Sequence, residues 1–204
     1  MGKLFVISAP SGTGKTSLIQ SVLDDPQSSK TKLGISCTTR EKRLKEEHGV
    51  SYFFISQQEF VNRVNKNEFL EYAKVFGNFY GTPKDWVLSI LEKGENVILE
   101  LDIQGALQVR QTFPDAKTIF IIPPSYEELS NRLEKRAQDP YEEIQTRLKE
   151  AKKEVSIGKD FNQVIVNDDF TEALADLKNF IFSDNLPSRE RQEISRNSLN
   201  LLLD

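Results

Sequence analysis

One cysteine, one histidine, one tryptophan and one methionine are all that 204 residues hold of those types, and the scarcities narrow the field. A lone Cys37 rules out an internal disulfide and a cysteine-built metal site, which suits a reducing compartment. It is read as a small buried hydrophobe, and His48 as incidental surface. No apolar run approaches the length of a membrane span. The few apolar residues before Pro10 are too short for a signal-peptide core, and Met1-Gly2 lacks the Ser or Thr at position 6 that myristoylation wants. Charge of one sign is also missing: 27 Lys plus Arg face 31 Asp plus Glu, a net of -4. A general nucleic-acid surface is therefore not expected, and anionic ligands have to be met locally. The expectation is a cytoplasmic protein with neither nucleic acid nor membrane as partner. Its length suits one α/β domain with inserted segments and a core needing no staples.

What is present begins with Ser8-Ala9-Pro10-Ser11-Gly12-Thr13-Gly14-Lys15-Thr16, set between the apolar run Leu4 to Ile7 and an amphipathic stretch from Ser17 to Leu23. A strand feeding a helix through such a turn exposes backbone N–H groups at a helix N-terminus, where they and the helix dipole favour phosphate. Lys15 then reaches the outer phosphates and Thr16 can place its hydroxyl on a magnesium ion. Ala9 stands where the P-loop pattern has its first glycine, a change without cost if Ala9 keeps a negative φ. The stretch reads as a nucleoside triphosphate cradle formed by Ala9, Pro10, Ser11, Gly12, Thr13, Gly14, Lys15 and Thr16.

Along the chain, residues 24–29 read as a turn-rich break, Leu33 to Ser36 as a short strand, and 38–49 as a charged, exposed loop. Val50 to Ile55 reads as a strand, and Ser56 with Glu59 as a capping box for a helix to Val64. Phe69 to Phe76 and Phe79 to Thr82 flank Gly77-Asn78 as a hairpin, after which Pro83 opens a helix to Glu92. Asn96 to Asp102 and Thr118 to Ile122 read as buried strands on either side of a helix over 104–111. Ser125 with Glu128 caps a helix to Arg136, and Asp139-Pro140 marks the start of another, with Ile144, Leu148, Ala151 and Val155 along one face. Gln163 to Val166 is the last strand, and Asp169 caps a helix to Phe182. Strands separated by helices imply a parallel sheet covered on both sides, a three-layer α/β/α fold. The tail from Pro187 to Asp204 is read as a frayed terminus, with a docked or partner-binding helix as the alternative.

Glu100 and Asp102 share a face at two-residue spacing where a parallel strand ends, the place where ligands collect in open α/β sheets. Asp102 is the stronger candidate to hold magnesium, through water.

Together these motifs resemble the guanylate kinase family across nearly the whole length. The resemblance is carried by residues 8–16, Thr38-Thr39-Arg40 with Arg43, Gly49 to Phe53, Phe69-Leu70-Glu71, Gly77 to Gly81, Leu101 to Gly105, and Ile165 to Asp169. It implies a core (1–32, 91–126 and 156–186), a β-rich GMP-binding insert (33–90), a helical lid (127–155) and a C-terminal tail (187–204). It also implies that Arg40, Arg43, Tyr52 and Tyr80 clamp the GMP phosphate, that Ser36, Glu71 and Thr82 read the guanine, and that Glu100 and Asp102 border the same nucleotide. Guanidiniums bind phosphate oxygens bidentately, and a carboxylate suits the donor edge of guanine, which adenine lacks. Lid arginines Arg132, Arg136 and Arg147 would join Lys15 in stabilising the transferring phosphoryl group, with Arg136 and Asn167 beside the ATP adenine.

The reaction so implied is magnesium-assisted phosphoryl transfer from ATP to GMP, with dGMP an admissible acceptor and the oligomeric state left open, a homodimer included. A phosphate monoester is mostly dianionic at neutral pH, its second pKa being about 6, so no strong general base is required. Leu44-Lys45, Glu100, and Lys135 with Ala137 depart from the usual family pattern. A kinase for another nucleoside monophosphate would lack the guanine-reading set. A non-catalytic scaffold of the same fold would be expected to have a damaged P-loop, whereas Lys15 and Thr16 are intact.

Overall fold

The structure, a computed structural model, describes residues 1–75, 77–135 and 141–204. In chain order the elements are β1 (Leu4–Ser8), α1 (Lys15–Leu23), β2 (Thr31–Leu33), β3 (Cys37–Thr38), β4 (Phe53–Phe54), α2 (Gln57–Asn65), β5 (Phe69–Val75), β6 (Asn78–Pro83) and α3 (Lys84–Glu92). They continue with β7 (Asn96–Glu100), α4 (Ile103–Thr112), β8 (Lys117–Ile122), α5 (Tyr126–Lys135), α6 (Tyr141–Gly158), β9 (Gln163–Val166), α7 (Phe170–Ser183) and α8 (Arg189–Leu203).

Alternation along the strands decides the layers. In β1, Phe5 and Ile7 face α1 and α7 together with Ile119, Ile121 and Ile165, whereas Leu4 and Val6 join Leu99, Phe120, Ile122 and Val155 on the opposite side. Every strand of this five-stranded sheet is parallel, in the order β2-β7-β1-β8-β9. The crossover after β1 runs to β2 on one side and the one after β7 runs past β1 to β8 on the other, so the switch point lies between the C-terminal ends of β1 and β7, where a crevice opens for a ligand. The turn at residues 9–14 occupies that crevice.

A second sheet, order β4-β3-β6-β5, closes over its own small core of Cys37, Phe60 and Phe69, with the Phe60 ring stacked on Phe69 and Phe79. Side chains of α4 fasten it to the main sheet. Gln108 mimics a neighbouring strand by exchanging two hydrogen bonds with the Tyr72 backbone, and the Thr112 hydroxyl donates to the Leu70 carbonyl at 2.8 Å. Facing residues of α5 and α6 make a third cluster from Leu129, Leu133, Ile144 and Ala151.

Four local readings change. The strand expected over Leu33 to Ser36 is instead a break between β2, which ends at Leu33, and β3, which begins at Cys37. Of Val50 to Ile55 only Phe53–Phe54 pairs as a strand, because Gly49 at φ 79° and the turn around Val50 turn the preceding chain away. His48 is exposed, yet its Nδ1 accepts a hydrogen bond from the Phe54 amide at 3.2 Å and braces that turn. The tail is no frayed end. Ser188 caps α8, Leu202 is buried, and Arg191, 8% exposed, bonds Asp176, Asp168 and the Val166 carbonyl. The helix start expected at Asp139-Pro140 lies outside the described residues.

Candidate active site

The cradle is built by two glycines and one buried hydroxyl. Gly12 and Gly14 sit at φ 95° and 93°, which side-chain-bearing residues rarely adopt, and a Cβ on Gly14 would lie 2.7 Å from Asn167 Nδ2. Ala9 has no positive φ, so a methyl is tolerated there. Thr13 folds inward, its hydroxyl donating to the Pro10 carbonyl at 2.8 Å, and Asn167 Nδ2 donates to the Thr13 carbonyl at 2.6 Å. No side chain caps α1, and its first-turn residues Lys15, Thr16 and Ser17 line the cavity.

Lys15 reaches across to the end of β7, with Nζ 2.8 Å from the Leu101 carbonyl and 3.9 Å from Glu100 Oε1. Burial pulls the pKa of Lys15 below the usual lysine range, against Glu100, Asp102 and Glu154, which oppose the shift. The carboxylate that meets Thr16 is Glu100: the hydroxyl donates to Oε1 at 2.6 Å. Asp102 instead caps α4 through the Gly105 amide at 2.7 Å, and its carboxylate still lines the cradle cavity of about 330 Å³.

Around the second sheet the expected acceptor residues fall into two groups. Glu71, 6% exposed, accepts the Thr82 hydroxyl at 2.6 Å, and burial raises the Glu71 pKa against that bond. Its other oxygen lies over Gly105, 3.3 Å from where a Cβ would stand, beside Asp102 Oδ1 at the same distance. Ser36 leads into β3, whose Cys37 pairs with Gly81 next to Thr82. The Arg40 guanidinium lies over the Tyr52 ring at 5.6 Å, and Tyr52 meets Tyr80 edge-on at 5.9 Å. Arg43 is exposed on the loop after Arg40.

Glu46 went unread in the sequence, yet it takes Arg40 Nη2 at 2.7 Å and the Arg43 amide at 2.9 Å. It therefore occupies the position an anion would take, and its pairing with Arg40 holds its pKa below the usual range. Leu44, the departure in that loop, is wholly exposed.

On the lid side, Arg147 Nη1 lies 3.0 Å from Ser11 Oγ, so this arginine points into the cradle. Arg132 donates to the Asn167 carbonyl at 2.9 Å and to Glu128 at 2.8 Å, lining with Lys135, Asn167, Asp168 and Phe170 a cleft of about 460 Å³ beside Gly12 to Gly14. Arg136 and Ala137 lie outside the described residues. Glu154 of α6 also borders the cradle, and the sequence held a usable signal, since it falls seven residues, or about two helical turns, after Arg147. Burial and nearby Asp102 push its pKa up to about 7.

Residues 1–184 match the family model described as guanylate kinase. The chain belongs to the guanylate kinase family. It is 51% identical over 185 residues to a guanylate kinase of Hahella chejuensis, covering 91% of this chain and 88% of that one. With the guanylate kinase of Escherichia coli K12 it shares 44% over 204 residues, covering 100% and 99%. Among solved structures, guanylate kinase from Anaplasma phagocytophilum matches with a TM-score of 0.67 at 31% identity, over 92% of this chain and 88% of that one. The family's fold is the one described above, a P-loop α/β architecture with a parallel core sheet.

Proposed function

We propose that this member of the guanylate kinase family transfers the γ-phosphoryl group of ATP to GMP, giving ADP and GDP. One observation supports the pairing of donor and acceptor. The segment Glu100 to Gly105 touches the phosphate cradle where Glu100 accepts from Thr16 and the Leu101 carbonyl accepts from Lys15, and it lies against the buried Glu71–Thr82 pair at Gly105. A triphosphate in the cradle and a base on Glu71 would therefore lie on two sides of one strand end.

In this reading the amides of residues 11–16, Lys15 and Arg147 hold the outer phosphates of ATP, and Arg132 and Arg136 add positive charge as the lid closes. Arg40, Arg43, Tyr52 and Tyr80 hold the GMP phosphate after it displaces Glu46 from Arg40. Glu71 accepts from the donor edge of guanine, with Thr82 and Ser36 completing the base site. An adenine would leave Glu71 desolvated without a donor, a costly outcome. The GMP phosphate oxygen attacks in line as a dianion, so the residues supply position and charge and no base.

Magnesium fits the donors here. The Thr16 hydroxyl and the carboxylates of Glu100 and Asp102 are hard oxygen ligands, and among the described residues no group of three or more His, Cys, Asp or Glu forms an all-protein metal cage. We assign Thr16 as the direct ligand, with Asp102 holding the ion through water and Glu100 positioning the Thr16 hydroxyl. Once bound, the ion would neutralise charge between the β- and γ-phosphates. Among the described residues no helix is long and apolar enough to cross a membrane, and we place the enzyme in the cytoplasm with its nucleotide substrates.

The test is coupled ADP release with ATP, magnesium and a panel of GMP, dGMP, AMP, CMP, UMP and dTMP. Turnover with GMP at least about a hundredfold above AMP is expected from the missing donor edge. Equal turnover with AMP, or none with GMP, would discard this reading.

A further inference from the structure

The phosphate cradle contains a charge of the wrong sign for an anion site. Helix α6 crosses it with two ionisable side chains two turns apart. Arg147 reaches Ser11, and Glu154 lines the same cavity as residues 9–17 and Asp102. Packing alone fixes Glu154 in place, because its neighbour Val155 is fully buried and Ala151 is 2% exposed. None of the hydrogen bonds and ion pairs among the described residues engages its carboxylate. Around Lys15 this makes three carboxylates, Glu100, Asp102 and Glu154, against one ammonium, while Arg147 is already paired with Glu143 at 2.9 Å. A bare nucleoside triphosphate brings about four more negative charges into that space, whereas its complex with a divalent cation brings two fewer.

We propose that Glu154 makes the cradle discriminate between metal-complexed and metal-free nucleoside triphosphate, setting beside the phosphates a carboxylate whose charge a bound divalent cation offsets. Glu100 and Asp102 are engaged with Thr16 and with the Gly105 amide, so among the described residues Glu154 is the carboxylate of the three that faces Lys15 without a hydrogen bond of its own. This inference rests on the cradle being the ATP site. It adds a role for α6: the helix that delivers a cation to Ser11 of the cradle also delivers the anion that rejects uncomplexed nucleotide.

The experiment is calorimetric binding of ATP at pH 8.0, where Glu154 is ionised, in magnesium and separately in EDTA. For the wild type, the complexed form binds more tightly. Glu154→Gln should tighten metal-free ATP about tenfold and shift magnesium–ATP by less than about twofold, so that the preference shrinks about tenfold. Glu154→Asp keeps the charge and should keep the wild-type preference, and Glu154→Ala repeats the test should the Gln variant fail to fold. An unchanged preference in the Gln or Ala variant, or equal tightening of both forms, overturns the proposal. Failure of the wild type to bind ATP in either condition would instead overturn the reading of the cradle itself.

Discussion

In the proposed reading chemistry and specificity turn on Lys15 and Glu71, and each sits in a setting that resists its ionised form. Glu71→Gln presents an amide NH₂ or carbonyl where a carboxylate faced the guanine donors. It should raise the KM for GMP at least about tenfold and leave the KM for ATP within about twofold, read from initial rates with each nucleotide varied in turn. Equal changes for both substrates would take Glu71 out of base recognition. Glu154 offers a prediction in stability. Its pKa rises from the ordinary 4.5 to about 7 in the folded protein, so the folded state keeps a proton that the unfolded chain has lost. The stability present below pH 4.5 is therefore lost as pH rises through about 7. Glu154→Gln should raise the stability of the nucleotide-free protein at pH 8 on the order of 1–2 kcal/mol, allowing for partial exposure, and have no such effect at pH 4.5. Thermal melts at the two pH values decide it.

Elements whose determinants are local were legible in the sequence. Ser56 with the Glu59 amide and Asp169 with those of Thr171 and Glu172 make the caps their spacing announces, and the Gly77-Asn78 turn joins β5 to β6. Helix α8 was misread because its anchor is distant in sequence. Arg191 enters the interior only to meet Asp176 and Asp168, which lie on α7 and in the turn before it. Nothing in a polar stretch announces a partner 15 or 23 residues away. Arg191→Ala would leave Asp176, 4% exposed, without its partner, at a cost of about 3–5 kcal/mol in urea unfolding. Loss of less than about 1 kcal/mol would mean that α8 is held by Leu202 and its apolar neighbours alone. The placement of Thr16 against Glu100 escaped the sequence for a similar reason, since 84 residues separate two groups that meet only through the β1–β7 register.

At the scale of the molecule, a parallel sheet and a small inserted sheet meet along α4, and the strand end that leads into that helix faces both. The turn that forms the cradle could be read from the chain, because glycine spacing is a local signal. What it meets could not, because Lys15 reaches the Leu101 carbonyl and Arg147 reaches Ser11 only when β7 and α6 are packed against that turn. Glu46 shows the same limit: only the folded loop reveals that the expected phosphate clamp is held by an internal anion. The most direct measurement follows the phosphorus itself, by incubating the protein with magnesium, GMP and ATP labelled at the γ-phosphate and separating the nucleotides. The account predicts label appearing in GDP in step with ADP, with transfer falling at least about a hundredfold in a folded Lys15→Met variant. Label released as inorganic phosphate, retained in ATP, or transferred equally well by Lys15→Met would contradict it.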